Sequence, residues 1–310
     1  MSDEHEVLVS LCIPTNGIIE WVRPVLDSIF AEKNPCGSYE VIVTDNGENA
    51  EFEEMMHVYE KKYANLIYCK TDAVQFLNQI EAFKLASGAL IKFINHRMAL
   101  KDGALNYLLT FAEEHKEEKP GVYFLNGAEP KRKEQEEFDT FDSYVGALGY
   151  WSSWSAGTAM WQEDFEKIDL QSGFNKMFPH TDLIFAMRKK QNYIIDNTIL
   201  LEDLEANAGQ KGKYDLFHTF AVDYVQIIED LYNQGDITEN TFTYVKKENL
   251  KFVMSCYVSF VILKRPCSYD LSGFDQAIRV YYKKSKAVWY AIMYIVTEVG
   301  KALRRIIKNN

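Results

Sequence analysis

The chain has 310 residues, and 47% of them are hydrophobic, so it can bury a substantial core in one large domain or in one domain with an appendage. Its formal net charge of −11 argues against a general nucleic-acid binder, because such proteins need a basic surface to displace counterions from phosphates. The five cysteines have neither zinc-site nor redox-pair spacing, which favours a reducing compartment.

The first residues also indicate where the protein works. They read MSDEHE and lead directly into a strand-like run, whereas a secretory signal needs a positive start and an apolar stretch. The longest apolar run, Ala287 to Val296, is much shorter than the roughly 20 residues of a membrane-spanning helix. We therefore expect a cytoplasmic protein that does not cross a bilayer by itself.

Strands and helices alternate through the first part of the chain. Buried, β-branched runs predict strands at residues 7–15, 39–47, 65–70 and 89–95. Helical spacing lies between them, at residues 18–30, 51–63 and 75–88. This alternation predicts an α/β fold with a mostly parallel sheet and helices on both of its faces.

The pattern is less regular between residues 102 and 203. It predicts a helix to about Glu117, a strand in GVYFLN, a short helix in HTDLIFAMRKKQ and a last strand in NYIIDNTILL. The charged segment AEPKRKEQEEFDTFDSY has no apolar period, so we expect a solvated surface insertion, with a mobile acceptor-side loop as the alternative. Among the nearby tryptophans, we expect Trp161 in the core and leave Trp154 open.

Beyond about residue 204 the remaining segments all carry helical periodicity. We therefore expect one domain at residues 1–203 and a helical C-terminal region at residues 204–310. Residues 279–310 carry eight Lys or Arg residues against the single acid Glu298, and basic residues flank an apolar stretch. This pattern predicts a helix on an anionic membrane surface, with packing of its apolar face on the preceding helices as the alternative.

Polar residues follow the predicted strands. Pro14 and Thr15 end the first strand, Asp45 ends the second, and Asn95–Arg97 follows the fourth. In an open α/β sheet, ligands bind at the carboxyl ends of the strands, so these positions are the candidate site. Asp45 on its own is weak evidence for a site, because most aspartates in such a place are turn residues or helix caps.

A family resemblance rests on five segments in a fixed order: VSLCIPTNG, YEVIVTDNG, AFKLASGALIKFIN, MWQEDF and HTDLIF. This set resembles the family 2 glycosyltransferases, and more narrowly the bacterial enzymes that build capsular and O-antigen polysaccharides. It covers roughly the first two-thirds of the chain. The resemblance implies a GT-A fold, related to the Rossmann fold, and inverting transfer of a sugar from a nucleotide-sugar donor to a saccharide acceptor, with a lipid-linked acceptor expected.

The resemblance also assigns roles to individual residues. Pro14 and Thr15 would line the nucleotide pocket, and Asp45 would hydrogen-bond the base or the ribose. Asn78 matches a polar position on a helix that faces the same pocket. Asp182 falls where the family keeps its catalytic base.

One short segment of three residues departs from the family pattern. Asn95, His96 and Arg97 occupy the place of the metal-binding aspartates. Departure of the diphosphate leaves negative charge that a cation must stabilise, and Arg97 can supply that cation through two hydrogen bonds. Lys211 and Lys213 are further candidates for donor binding. We expect no required cofactor, with Mn²⁺ or Mg²⁺ as the alternative if His96 binds a metal.

Two more residues complete the candidate site. His180 is the fallback base, since an unperturbed histidine has a pKa close to neutral. Trp154, if it lies outside the core, would offer a flat apolar face for an acceptor sugar. The leading hypothesis is a glycosyltransferase of cell-surface polysaccharide synthesis, peripheral on the inner face of the membrane. The alternatives are a catalytically inactive scaffold with a transferase fold, or a nucleotidyltransferase; no nucleic-acid partner is expected.

Overall fold

The computed structural model describes residues 7–33, 37–204 and 212–308, with side chains to residue 300. The chain divides into two compact units. The first comprises Met1–Tyr144 and Trp151–Ala206, and the second comprises Val145–Tyr150 and Asn207–Asn310. The first unit is α/β, and the second is helical.

The first unit alternates strands and helices, as the sequence predicts. Its strands are β1 (Val9–Thr15), β2 (Tyr39–Asp45), β3 (Leu66–Lys70), β4 (Leu90–Phe93), β5 (Met98–Leu100), β6 (Gly121–Phe124), β7 (Gln135–Phe138), β8 (Ala159–Trp161), β9 (Tyr193–Asp196) and β10 (Leu201–Asp203). Its helices are α1 (Ile19–Ala31), α2 (Ala50–Lys62), α3 (Asn78–Lys84), α4 (Ala104–His115), α5 (Phe141–Leu148, which ends in the second unit), α6 (Gln162–Phe165) and α7 (Pro179–Ala186).

The central sheet has the strand order β3-β2-β1-β4-β8. All neighbouring pairs are parallel except β4 and β8, which are antiparallel. Side chains of β1 alternate between two core clusters, with Val9, Leu11 and Ile13 in one and Cys12 in the other. Both faces are therefore buried, which explains why β1 is an almost continuous apolar run.

Helices cover both faces of this sheet. Residues of α1, α2 and α4 belong to the same cluster as Val9 and Leu11. Residues of α3 and α7, including Leu183, pack with Cys12 in the other cluster. The predicted architecture, a mostly parallel sheet between two layers of helices, is confirmed.

Two smaller sheets correct details of the sequence interpretation. Residues 135–138 of the charged segment form β7, an edge strand that pairs antiparallel with β9. Exposed edge strands tolerate charged residues, so this strand has no apolar signal. The run NYIIDNTILL is not one strand but two, because the Asp196 carboxylate accepts a hydrogen bond from the Thr198 backbone N–H at 2.9 Å and turns the chain.

The second unit contains helices α8 (Leu216–His218), α9 (Tyr224–Asn233), α10 (Glu239–Cys256), α11 (Phe274–Tyr281) and α12 (Lys284–Lys308), with π-helical turns after α8 and α10. Its core joins Phe217, Leu250, Val253, Ala277 and Ala287. The predicted helical character of the C-terminal region is confirmed. Among the described residues, every helix is too short or too polar to span a bilayer.

Candidate active site

Thr15 joins the end of β1 to the turn after β4. Its hydroxyl accepts a hydrogen bond from the Gly17 backbone N–H at 3.2 Å and lies 2.9 Å from Nδ1 of His96. Burial, and secondarily the charge of Arg97, lowers the pKa of His96 to about 3, so its ring is neutral at pH 7. In the tautomer in which the Thr15 hydroxyl donates to Nδ1, the ring carries its proton on Nε2 and can donate from there.

Asp45, at the end of β2, holds the next turn. Its side chain is completely buried; Oδ1 accepts from the Gly47 backbone N–H at 2.7 Å, and Oδ2 lies 2.8 Å from Nζ of Lys70. The Tyr68 hydroxyl donates to Oδ2 at 3.1 Å, and burial, followed by this carboxylate's charge, raises the pKa of Tyr68. Asp45 therefore fixes the loop after β2, and its direct contact with a base or ribose stays a prediction.

Replacing Lys70 by methionine should lower the free energy of unfolding by about 1–3 kcal/mol, because the buried Asp45 carboxylate loses a charged donor. Urea unfolding at pH 7.5 measures this change. Lys61→Met is the control, since Lys61 is exposed on α2 and has no carboxylate partner among the described residues. Equal stability of the two variants would mean that Lys70 does not support the carboxylate.

Asn78 links the ends of two strands at the start of α3. Its Nδ2 donates to the backbone oxygens of Thr15 at 3.1 Å and Thr44 at 2.8 Å. Its Oδ1 accepts from the Thr71 hydroxyl at 2.8 Å. Asn78 is buried, and this network uses both amide protons, so the structure gives it a positioning role; a direct donor contact stays a prediction.

The turn after β4 is shaped by Asn95, whose Oδ1 accepts a hydrogen bond from the Arg97 backbone N–H at 3.0 Å. Arg97 points its guanidinium over the ring of Trp21, with Cζ 5.2 Å from the ring centroid. The Trp21 and His96 rings pack edge-to-face, with 5.0 Å between their centroids. Trp21 lies in the first turn of α1. Its ring thus orients both the Arg97 guanidinium and the neutral His96 imidazole at this edge of the sheet.

Arg97 has no carboxylate partner within ion-pair distance in the part of the chain that the structure describes. A partly buried guanidinium without such a partner can bind an anion through two parallel hydrogen bonds. Trp21 was not singled out by the sequence. Its position just after the first strand end was the signal that could have found it.

A divalent metal fits these residues poorly. Mg²⁺ and Mn²⁺ favour carboxylate and carbonyl oxygens, but the turn offers an amide, an imidazole held by Thr15 and a guanidinium. Across the described ranges, no three His, Cys, Asp or Glu side chains form a group that could hold a metal ion. The turn therefore presents the Arg97 guanidinium rather than grouped carboxylates, and its correspondence to the metal-binding position of other transferases stays a prediction.

Asp182 lies in the first turn of α7, partly buried. Its Oδ2 accepts a hydrogen bond from the Asn175 backbone N–H at 2.6 Å. Burial raises the pKa of this carboxyl to about 6, and the Asn175 hydrogen bond opposes the shift. The carboxylate is thus ionised at neutral pH and more basic than a solvated aspartate, which suits a general base.

His180 is less suited to proton transfer. It is 5% exposed, its Nε2 donates to the Ser153 backbone oxygen at 2.9 Å, and its Nδ1 is buried without a hydrogen-bond partner. Burial lowers the pKa of His180 to about 4 despite that hydrogen bond. The ring therefore anchors α7 to the segment around Ser153, and its predicted role as the fallback base lacks structural support because neither nitrogen is accessible.

A buried lysine and a tyrosine fix the aromatic segment before β8. Lys92, on β4, is 1% exposed and donates to the backbone oxygens of Phe93 at 2.9 Å and Ala156 at 2.6 Å. Burial lowers the pKa of Lys92 to about 7. Tyr123 places its hydroxyl 2.7 Å from the backbone oxygen of Trp154.

The tryptophans of this segment differ in burial. Trp161 is fully buried and donates from Nε1 to the Pro120 backbone oxygen at 2.8 Å, which confirms its predicted place in the core. Trp154 is only partly buried and meets Trp151 edge-to-face at 6.0 Å. Its contact with an acceptor stays a prediction.

The structure brings only some of the candidate residues together. Hydrogen bonds connect Thr15 directly with His96 and Asn78, and β1–β2 pairing sets Thr15 opposite Asp45. Pro14 precedes Thr15 in β1 and is partly exposed. Lys213 is exposed in the second unit, and Lys211 lies outside the described residues, so both stay predictions.

The sequence profile described as "Glycosyl transferase family 2" matches residues 10–185, more than half of the 310-residue chain. The chain belongs to this family. The matched span includes every candidate residue from Pro14 to Asp182. A comparison with curated proteins finds no match.

Solved structures share the fold. The S. aureus TarS fragment 1–349 in complex with UDP-GlcNAc is similar with a TM-score of 0.62 at 15% identity, over 88% of this chain and 79% of that chain. The same fragment in complex with UDP gives a TM-score of 0.55 at 14% identity, over 93% of this chain and 81% of that chain. The GT-A fold of this family 2 glycosyltransferase is thereby confirmed.

Proposed function

We propose that this glycosyltransferase moves a sugar, with inversion, from a nucleotide-sugar donor to a saccharide acceptor on a lipid carrier in cell-surface polysaccharide synthesis. The observation that carries the proposal is the Arg97 guanidinium, which has no carboxylate partner among the described residues and lies at the strand ends, where open α/β sheets bind their ligands. The TarS structures, which contain UDP-GlcNAc and UDP, support a nucleotide-sugar donor.

Arg97 and His96 stabilise the negative charge that develops on the donor diphosphate as its bond to the sugar breaks. Arg97 is permanently charged and supported by the Trp21 ring, and the neutral His96 donates from Nε2. Both groups are already oriented before the reaction begins, so little reorganisation is needed as the charge forms. Neighbouring Thr15 fixes the imidazole through Nδ1.

Asp182 takes the acceptor proton. The acceptor hydroxyl attacks the anomeric carbon, a new glycosidic bond forms, and the bond from that carbon to the diphosphate oxygen breaks with its electrons remaining on the nucleoside diphosphate. The proton passes to the Asp182 carboxylate, whose pKa of about 6 keeps it ionised at neutral pH. Attack from the face opposite the diphosphate inverts the anomeric centre.

A panel of nucleotide sugars tests the function. We expect slow donor hydrolysis with one of them, releasing nucleoside diphosphate, and faster release when a lipid-linked saccharide acceptor is added. Donor binding without turnover for every acceptor would favour the inactive scaffold. A separate incubation supplies a nucleoside triphosphate and a sugar 1-phosphate, and release of pyrophosphate there would instead identify a nucleotidyltransferase.

Removal of divalent metal ions with EDTA tests whether Arg97 supplies the positive charge of the site. We expect donor hydrolysis to continue in excess EDTA within about twofold of its untreated rate, because Arg97 supplies the positive charge without metal ligands. The same assay after added Mn²⁺ or Mg²⁺ provides the reference. Loss of activity in EDTA that either ion restores would show that the site requires a metal.

A further inference from the structure

Helix α12 has apolar residues on two sides. On one side, Ala287 and Ala291 are buried, and Tyr290 and Tyr294 pack against the core of the second unit. On the other side, seven large apolar side chains are each 36% to 60% exposed. These residues, which we call the outer face of α12, are Val288, Trp289, Ile292, Met293, Ile295, Val296 and Val299.

The outer face is not required to complete the core. The small alanines and the tyrosines on the packed side already fill the contact with the neighbouring helices. Single exposed apolar residues are common on soluble proteins, but contiguous groups of large ones mark interaction sites. One side of α12 thus packs on the preceding helices, as the second sequence interpretation expects, while the other side remains exposed. Membrane binding by the exposed side stays a prediction.

Positive charge borders the outer face. Lys283, just before α12, and Lys284 and Lys286, in its first turn, are all exposed. Lys284 pairs with Asp275 at 3.0 Å, but both groups are largely exposed, so this pair is weak. Glu298 is the single acid in residues 279–310, and its Oε2 lies 3.8 Å from Nη2 of Arg265. The apolar surface therefore lies next to a net positive charge in a chain that is otherwise acidic.

We propose that the outer face of α12 and its lysines bind the surface of an anionic lipid bilayer, with the helix lying in the interface. Apolar side chains enter the boundary between headgroups and acyl chains, while lysines contact anionic headgroups. A second copy joined through its own outer face would bring the same basic segment, with Glu298 as its single acid, to the contact rather than an anionic surface. This inference does not depend on the transferase reaction.

Vesicle co-sedimentation of the full chain tests the proposal. We expect binding to vesicles of phosphatidylcholine with phosphatidylglycerol, weaker binding as salt rises, and little binding to phosphatidylcholine alone. Ile292→Glu/Val296→Glu should reduce the vesicle-bound fraction about tenfold or more, since both side chains are exposed and their loss leaves the core intact. Lys283→Glu/Lys286→Glu should also weaken binding.

Matched controls separate this face from general surface effects. Val58→Glu/Val74→Glu replaces two equally exposed valines in the first unit and should bind like the unmodified chain. Lys131→Glu/Lys133→Glu is the corresponding charge control. Circular dichroism verifies that each variant is folded. Donor hydrolysis, measured without vesicles, should be unchanged in the α12 variants, so failure of the proposed reaction would be seen separately.

Three results would overturn the proposal. The unmodified chain could remain in the supernatant at low salt, or the Val58/Val74 control could lose binding as strongly as the α12 variant. Sedimentation velocity could also reveal a dimer that Ile292→Glu/Val296→Glu dissociates, which would make the outer face an interface between two copies.

Discussion

Replacing Asp182 by asparagine should lower the turnover number about 10²–10⁴-fold while leaving donor affinity nearly unchanged. The amide keeps the shape of the side chain and can still accept the hydrogen bond from the Asn175 backbone N–H, but it cannot accept the acceptor proton. Initial-rate kinetics at saturating donor measure the effect. In the unmodified enzyme, the rate should fall with acidity below the Asp182 pKa of about 6.

Stability provides the control for this substitution. Because the folded-state pKa of Asp182 lies above the ordinary value of 3.8, the buried charge lowers folding stability above about pH 6 and has no such effect below about pH 4. Asp182→Asn should therefore be more stable than the unmodified chain by about 1–3 kcal/mol at pH 7.5. This gain should disappear at pH 4. An active variant would eliminate Asp182 as the base.

Replacing Arg97 by alanine should reduce turnover about 10²–10³-fold and weaken nucleoside diphosphate binding, because a fixed donor to the developing charge is removed. Calorimetric titration with the nucleoside and with its diphosphate distinguishes this effect from a general loss of the pocket. Affinity for the diphosphate should fall strongly, and affinity for the nucleoside should change little.

Two further variants sharpen the Arg97 experiment. Arg97→Lys should recover only part of the activity, since lysine keeps the charge but lacks the planar pair of donors. Arg23→Ala removes an exposed arginine on α1, close in sequence to Trp21, and should leave both affinities unchanged. If Arg97→Ala binds the diphosphate as tightly as the unmodified chain, Arg97 does not contact the donor.

Much of the fold could be predicted because its central strands are buried on both faces. β1 and β2 are buried and mostly apolar, and each ends at a polar turn that the sequence displays clearly. β7 could not be found in this way, because Gln135 and Glu137 are exposed and carry no apolar signal. β5 has only three residues and owes its existence to pairing with β10.

The candidate site was only partly visible in the sequence. Position at a strand end located Thr15, Asp45 and Arg97, since parallel strands place their carboxyl ends along one edge. The Lys70 partner of Asp45 depends on contacts between residues 25 positions apart. The burial of His180 likewise depends on packing around Ser153, which local spacing does not reveal.

The buried ammonium of Lys92 makes folding a proton-linked reaction. In the unfolded chain this group has the ordinary lysine pKa of 10.5, whereas inside the fold its pKa falls to about 7. Between these two values the unfolded state binds more protons at this site than the folded state. Folding therefore expels a proton from Lys92 over this range, and each increase in pH within it makes this contribution to folding more favourable.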